Sequence, residues 1–502
     1  MKLKRVILTL FMLAFFSAII FDIFGKTTFP LNGDISRPGK PEFKWKTFFK
    51  ATYQDEYAEY LRNSVSVHSE LIRMNNQYRF TFFNIMPDGG TIVGKNGVLF
   101  EIGRIKAVYG DGYMGEYSWK YYMDMFDSVS DTMHKLNKPI IYVNVGDKSR
   151  IYEEYIPDNL RKTKTDSTNY NLYLRKLKDE KRIYFIDLAG YFLKIRDTCK
   201  TELYPPYSVH WSLYSTYLAT DSIAKYTNKL LPQYEAALPV LQGFEVTKKE
   251  KDIEYDLIHF LNMYYSYAYK ENHYPIVKYA KKTTKRKPRV MLIGDSFGQM
   301  LADNDYMYNA FSDSSIFIRY NAEYRRKGPK GLINVNTINY WEEFDKSDIV
   351  IFVSSEINLD NFGFGFIEKA YDHFKGIENF IESYHTKSVT KAIEDKTAVF
   401  TIKQGVGKAV YFKNRNTDVK GGKSYKLSYM VKGIGELTFD FYPDYLPQTL
   451  QVFDSNNWKQ YAWKFTMPDN IPSVVLFRAF LDTKPKMENE LQFKNFKLEE
   501  VR

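Results

Sequence analysis

One cysteine, Cys199, stands among 502 residues. It excludes an internal disulfide and any multi-cysteine metal site. Histidine is nearly as scarce, with seven in the whole chain, which narrows the search for a catalytic base. Repeats and low-complexity tracts are lacking too. The formal net charge is +11, yet the lysines are scattered and no compact basic motif or nucleic-acid module is visible. The charge is therefore read as a mild bias towards an anionic polymer or a membrane surface, with no nucleic-acid partner. A hydrophobic share of 44% beside 26% charged residues describes a globular protein. The 42 Tyr and 38 Phe suit sugar stacking, although a Lys- and Tyr-rich proteome would show the same.

Long apolar runs are also rare, and the one that matters lies at the start. Lys2, Lys4 and Arg5 precede an uncharged run, Val6–Ile20, and the apolar stretch continues to Phe24. Its length is enough to span a bilayer. No clean small-residue cleavage site follows, so residues 1–26 are expected to be an uncleaved membrane anchor, with a cleaved signal peptide as the alternative. Positive charges before the span place the body of the protein outside the cytoplasm, on the periplasmic or extracellular side of the inner membrane.

Pro30, Gly33, Pro38 and Gly39 mark a linker, and Glu42–Tyr78 carries an aromatic stripe at helical spacing, expected to pack on a core. Residues 27–90 thus form a linker and helical part. Ile92–Gly103 reads as a hairpin around a Lys-Asn-Gly turn. Tyr117–Leu136 reads as a helix, Pro139–Val145 as a strand, Asn159–Lys181 as a polar helix and Arg182–Leu188 as a strand. The alternation continues through Val290 and Asp348–Ser354, which implies a parallel sheet flanked by helices over residues 91–378. Beyond, at 379–502, short strands alternate with Gly, Pro-Asp and Asn-Asn turns, as in an all-β sandwich or jelly roll.

Within the α/β region, Val290–Met300 reads V-M-L-I-G-D-S-F-G-Q-M. A short buried strand runs into Gly294-Asp295 and then a helix, which lifts Ser296 off the end of the sheet among free backbone N–H groups. That is the setting of a nucleophile beside an oxyanion hole; the bland alternative is a Gly-Asp-Ser turn that only caps a helix. Arg319-Tyr320-Asn321 follows the next strand and could supply an oxyanion donor, and Glu356 would emerge at the same sheet edge. A serine nucleophile needs a base. His68, His134 and His259 fall in expected helices, while His273, His373 and His385 have no partner motif. His210 lies in the rigid loop Y-P-P-Y-S-V-H-W-S, ahead of a helix Leu213–Asn228 with Ser212 as N-cap.

At these residues the chain resembles the SGNH-hydrolase-type polysaccharide O-acetyltransferases of the alginate O-acetyltransferase (AlgJ and AlgX) group. The family's hairpin motif falls on Gly94–Phe100, with Val98 where the family has Trp. Its Pro-Pro-Lys strand end and the Tyr-Pro-Glu motif after it resemble Val145–Lys148 and Tyr152–Pro157. Its Asp-x-His-Trp motif falls on Ser208-Val209-His210-Trp211, its Gly-Asp-Ser-Phe on Gly294–Phe297, and its Glu-x-Asn-Leu on Glu356–Leu359. The resemblance implies an SGNH-hydrolase-like catalytic domain followed by a carbohydrate-binding-module-like sandwich. It also implies transfer of acetyl through an acyl-serine on Ser296, with His210 as base, no cofactor, no metal, and an acetyl donor supplied by a membrane-bound acyltransferase partner.

One departure stands out: the family's aspartate is Ser208 here. In a triad that carboxylate orients the imidazole and stabilises the imidazolium. A Ser–His dyad is one answer, with Ser208 Oγ or a backbone carbonyl accepting the Nδ1 proton. A carboxylate from nearby, such as Asp187, Asp197 or Glu202, is a second. A non-catalytic, membrane-anchored polysaccharide-binding subunit is a third. Gly294 and Asp295 complete the oxyanion and substrate candidates. Trp211, Trp458, Tyr461 and Trp463 are the glycan-binding candidates, although Tyr461 and Trp463 share a strand face that could equally be core. A carbohydrate acetyl esterase, or a secreted lipase or esterase, would use the same residues, with water taking the acetyl group.

Overall fold

The computed structural model describes residues 4–9, 12–13, 16, 31–32, 39–49, 52–64, 68–178, 180–249, 251–264, 271–279, 285–329, 331–375, 381–385, 389–394, 397–402, 408–414, 420–442, 449–468, 478–482 and 490–501. Most of the expected anchor lies outside them; residues 4–9, 12, 13 and 16 are helical. Among the described residues no helix is long and apolar enough to cross a membrane.

Three helices follow, Trp45–Phe49, Thr52–Ser64 and His68–Phe83. Their aromatic stripe does not pack on a core as expected. Trp45 is 66% and Phe49 79% exposed, and the rings pile on each other, with Trp45 stacked on Phe49 at 5.8 Å and Tyr53 on Tyr57 at 5.6 Å. The first helix is too short to carry a stripe to a distant core. The third turns a polar face inward, burying Ser69, Arg73 and Asn76, and Asn76 Nδ2 donates to the Leu261 carbonyl at 2.7 Å.

The hairpin forms from β1 (Thr91–Val93) and β2 (Leu99–Glu101), paired antiparallel. The α/β body then supplies β3 (Ile140–Val145), β4 (Ile183–Asp187), β5 (Pro239–Thr247), β6 (Asn272–Tyr279), β7 (Val290–Gly294), β8 (Ile316–Arg319), β9 (Glu323–Arg325), β10 (Ile333–Asn334) and β11 (Ile349–Ser355). Seven of these make one sheet in the order β10-β9-β8-β7-β11-β3-β4. From β8 to β4 the pairing is parallel, and β9 and β10 run antiparallel at one edge. Every residue of β3, β7 and β11 is buried, which is why these strands read as continuous apolar runs rather than alternating ones. Helices cover both faces, the helix Leu213–Leu230 on one and Gly115–Lys135 on the other.

Among the described residues, the stretch Asn159–Lys181 carries one α-helix, Asn169–Leu177, a correction to the longer helix expected. Ahead of it, Thr163–Thr168 is dense in Ser and Thr, whose side chains compete for backbone groups. Thr168 Oγ1 accepts the Asn171 N–H at 3.1 Å and sets the helix start.

The C-terminal region is antiparallel. Its strand order runs Ile381–His385, Lys408–Asn414, Arg478–Asp482, Ser424–Tyr442, Leu491–Val501, Thr397–Ile402, Val389–Glu394, with Thr449–Thr466 paired to Ser424–Tyr442. Its core takes alternate residues, Tyr425, Leu427, Tyr429 and Val431, and with them Phe453, Phe465 and Phe493.

Candidate active site

Several catalytic candidates gather at the carboxyl edge of the sheet, where β7, β8, β11 and β3 end side by side. Gly294 ends β7 in a place without room for a side chain: a Cβ there would sit 2.6 Å from the Val353 carbonyl oxygen. Asp295, fully buried, follows. Its Oδ1 accepts the Phe297 N–H at 2.9 Å and caps the helix Ser296–Asp303. Its Oδ2 accepts from Ser355 N (2.7 Å), Ser355 Oγ (2.6 Å) and Asn358 Nδ2 (2.8 Å), tying the nucleophile turn to the end of β11. Asp295 therefore positions the turn; a carboxylate saturated with donors cannot itself donate to an oxyanion. Ser296 is the first helical residue, so no carbonyl one turn behind claims its N–H within the helix.

The histidine loop is held from several sides. Ser212 N donates to the Leu203 carbonyl at 2.9 Å, and Ser212 Oγ caps the helix Leu213–Leu230 by accepting from Ser215 N at 3.1 Å. The Tyr204 hydroxyl donates to the Gly146 carbonyl at the end of β3. Trp211, a glycan-binding candidate in the sequence, is instead wholly buried, edge-on to Phe297 at 5.6 Å. It is a packing residue: the ring pins the loop to the nucleophile helix, with Phe297 also 5.1 Å from the His210 ring.

His210 Nε2 lies 2.7 Å from Ser296 Oγ, and His210 Nδ1 lies 2.6 Å from Oδ2 of Asp256. A carboxylate only accepts, so the hydrogen sits on Nδ1, and Nε2 is left with a lone pair facing the serine hydroxyl. Asp256 opens the short helix Asp256–Phe260. Burial raises its affinity for a proton, but the bonds from His210, the Val209 N–H (2.9 Å) and the Ser208 hydroxyl outweigh this and hold its carboxyl below the usual range.

The carboxylate missing from position 208 is thus supplied by Asp256, which sequence reasoning did not single out. Asp187 is engaged elsewhere, accepting from Gly190 N (3.0 Å) and the Tyr170 hydroxyl (3.1 Å). Asp197 and Glu202 line a surface cleft with Arg196 and Cys199. Neither the dyad nor a neighbouring-sequence carboxylate describes the site. Ser208 does not accept the Nδ1 proton; its Oγ accepts the His210 backbone N–H at 2.9 Å and donates to Asp256.

Around this core two arginines brace the sheet edge. Arg104 donates to Asp147 at 2.5 Å and Glu101 at 2.6 Å, its guanidinium 5.4 Å above the Phe297 ring. Arg150 makes a two-pronged pair with Glu356 at 2.6 and 2.5 Å, which commits that buried carboxylate to bracing β11. At the end of β8, Tyr320 and Asn321 both adopt left-handed backbone, φ 47° and 54°. Tyr320 N donates to the Gly294 carbonyl at 2.9 Å, which sets the pair beside the nucleophile turn. The Asn321 side chain is 3% exposed and both of its polar atoms lack a partner among the described residues. Strained backbone and unpaired buried amides collect at functional sites. Arg319 leans over the Tyr320 ring and pairs with Glu323 at 3.5 Å.

In the C-terminal region Tyr461 stacks on Tyr429 and Trp463 on Phe465 at 4.5 Å, so both belong to the inward face. Both remain partly exposed there. Trp458 is half-buried under the Lys494 ammonium, 4.1 Å from its centroid.

A Gly-Asp-Ser turn ends a central parallel strand, and a histidine is brought onto it from a preceding loop. Residues 108–311 match the family model described as the SGNH hydrolase-like domain of the acetyltransferase AlgX, and His210, Asp256 and Ser296 lie inside that stretch. The chain is also similar to the solved structure of Pseudomonas aeruginosa AlgX, with 10% identity over 82% of this chain and 95% of that one, TM-score 0.38. For the O-acetyltransferase domain of Pseudomonas putida AlgJ the values are 13%, 57%, 99% and 0.36. For Bacillus cereus PatB1 they are 13%, 55%, 98% and 0.31. At TM-scores this low the structural likenesses carry no functional inference. A comparison with curated proteins returns no match.

Proposed function

We propose that this protein is an O-acetyltransferase that works outside the cytoplasm on hydroxyl groups of a secreted or cell-surface polysaccharide. The observation that carries the reading is the continuous relay Ser296 Oγ–His210 Nε2, His210 Nδ1–Asp256, with both links inside hydrogen-bond distance. His210 takes the Ser296 proton as Oγ attacks the acetyl carbonyl, and Asp256 stabilises the imidazolium. The tetrahedral oxyanion is held by the Ser296 N–H and the Asn321 amide. His210 then returns the proton to the leaving group, which leaves acetyl-Ser296. In the second half a sugar hydroxyl loses its proton to His210, attacks the acyl carbon and releases Ser296, which regains that proton.

Membrane attachment through residues 1–26, an acetyl donor passed on by a membrane-bound acyltransferase and an anionic glycan acceptor complete the reading. The sequence resemblance supports the second, and the positive net charge supports the third. A non-catalytic binding subunit is disfavoured, because Asp256 removes its motive, the lost carboxylate. The test is acetyl release from 4-nitrophenyl acetate by the full chain beside Ser296→Ala, His210→Ala and Asp256→Asn, with and without acceptor glycans. Turnover lost in all three variants, with acetyl appearing on the glycan, supports the transferase. Acetate alone, whatever acceptor is added, makes it an esterase. Wild type no faster than the variants returns the chain to the binding-subunit reading.

A further inference from the structure

Lys148 is a buried cation that none of these steps uses. It is the second residue beyond Gly146 at the end of β3, only 3% exposed. Its ammonium donates to the carbonyls of Pro205 (3.2 Å), Pro206 (3.2 Å) and Ser208, so each of its three hydrogens has an acceptor. The Phe100 ring closes another side, 5.4 Å from Nζ. Burial pushes the ammonium down to about 7, while Asp256, Glu101 and Glu202 favour its charge and Arg104 opposes it.

All three acceptors belong to the histidine loop. Two of them are prolines, which have no N–H to donate and cannot place the loop in a regular ladder. Ser208, fully buried, is the hub. Its carbonyl binds Lys148, and its hydroxyl both accepts the His210 N–H and donates to Asp256. One side chain therefore sets the residue that orients both the base and its carboxylate.

We infer that Lys148 is a positioning residue for acyl transfer: its ammonium gathers the 205, 206 and 208 carbonyls and so aligns Ser208 with His210 and Asp256. Substrate is not touched. The inference rests on the reading of Ser296, His210 and Asp256 as the catalytic site.

The test uses the full chain with Lys148→Met and Lys148→Arg, assayed on 4-nitrophenyl acetate and by labelling of Ser296 with a sulfonyl fluoride. Lys148→Met is expected to lower kcat roughly ten- to a hundredfold with KM within about twofold, and to slow labelling in step. The low-field proton resonance of the His210–Asp256 bond should shift or vanish, and Lys148→Arg should restore part of each. A Lys148→Met protein that keeps kcat and that resonance, and loses only thermal stability, overturns the inference. Should neither variant fold, the wild type decides: the Lys148 ammonium nitrogen resonance must move when Ser296 is sulfonylated, and an unmoved resonance overturns it. A wild type that neither turns over nor labels at Ser296 overturns the catalytic reading, and this inference with it.

Discussion

Asp256 Oδ2 lies 2.6 Å from His210 Nδ1, although 46 residues separate the two in sequence. The histidine sits in a proline-stiffened loop and the aspartate at the first turn of a separate helix; they meet because Val209 N–H and Ser208 Oγ bind the same carboxylate. Changing Asp256 to Asn keeps the shape but allows the wrong imidazole tautomer. The expected loss in kcat/KM is about ten-thousandfold, with an unchanged circular dichroism spectrum. A variant within tenfold of wild type would show that His210 works without it.

Putting a carboxylate back at position 208 should not help. Ser208→Asp replaces a donor to Asp256 with a second negative charge beside it, so activity is expected to fall below wild type. Ser208→Ala removes two hydrogen bonds without adding charge, and kcat is expected to drop about tenfold. Steady-state assays of the two variants side by side check the order: wild type, then Ala, then Asp.

Asn321 is expected to act late, on the developing oxyanion. Asn321→Asp keeps the volume but loses the donor, and kcat should fall by about a hundred- to a thousandfold with little change in KM. Asn321→Gly tolerates the left-handed backbone and separates strain from hydrogen bonding: it should lose activity to a similar degree while folding normally. A Gly variant as fast as wild type would remove Asn321 from the oxyanion site.

The ionisation of Asp256 makes a pH-dependent contribution to stability. Its folded-state carboxyl lies below the usual range, so the contribution is complete above the unfolded pKa of about 4 and is lost as pH falls through the lower, folded value. Urea unfolding of wild type and Asp256→Asn should therefore show a stability difference that narrows as pH falls below about 4, where the carboxylate itself takes up a proton. A difference that keeps growing below about pH 4 contradicts the assignment.

Arg150 and Glu356 illustrate the energetics of a buried pair. Arg150→Met leaves Glu356, 1% exposed, without its partner, and destabilisation of about 3–5 kcal/mol is expected. The double variant Arg150→Met with Glu356→Met should recover most of that loss, because no uncompensated charge remains. Chemical denaturation of the three proteins reads both numbers; a double variant as unstable as the single would mean that packing, not charge, dominates.

What the sequence determined by itself was local. The apolar runs Val290–Gly294 and Ile349–Ser355 are legible as buried parallel strands because burial on both faces demands unbroken hydrophobicity. The Gly-Asp-Ser corner and the Ser212 cap are legible because turn and helix-start chemistry needs those residues within three positions of each other. Trp211 could not be assigned that way, since an aromatic in a loop looks the same facing a glycan as facing Phe297. The stripe from Trp45 to Tyr60, whose rings pile on one another, also misleads, because helical spacing says that a face exists and not what it meets. Only the tertiary structure could find Asp256 and Lys148. A charge partner is chosen by distance in space, and Asp256, Lys148 and Ser208 come from three separate segments that no spacing rule connects. The family-like motif pointed to position 208 for a carboxylate; the folded chain places one there from 256, and uses 208 to hold it.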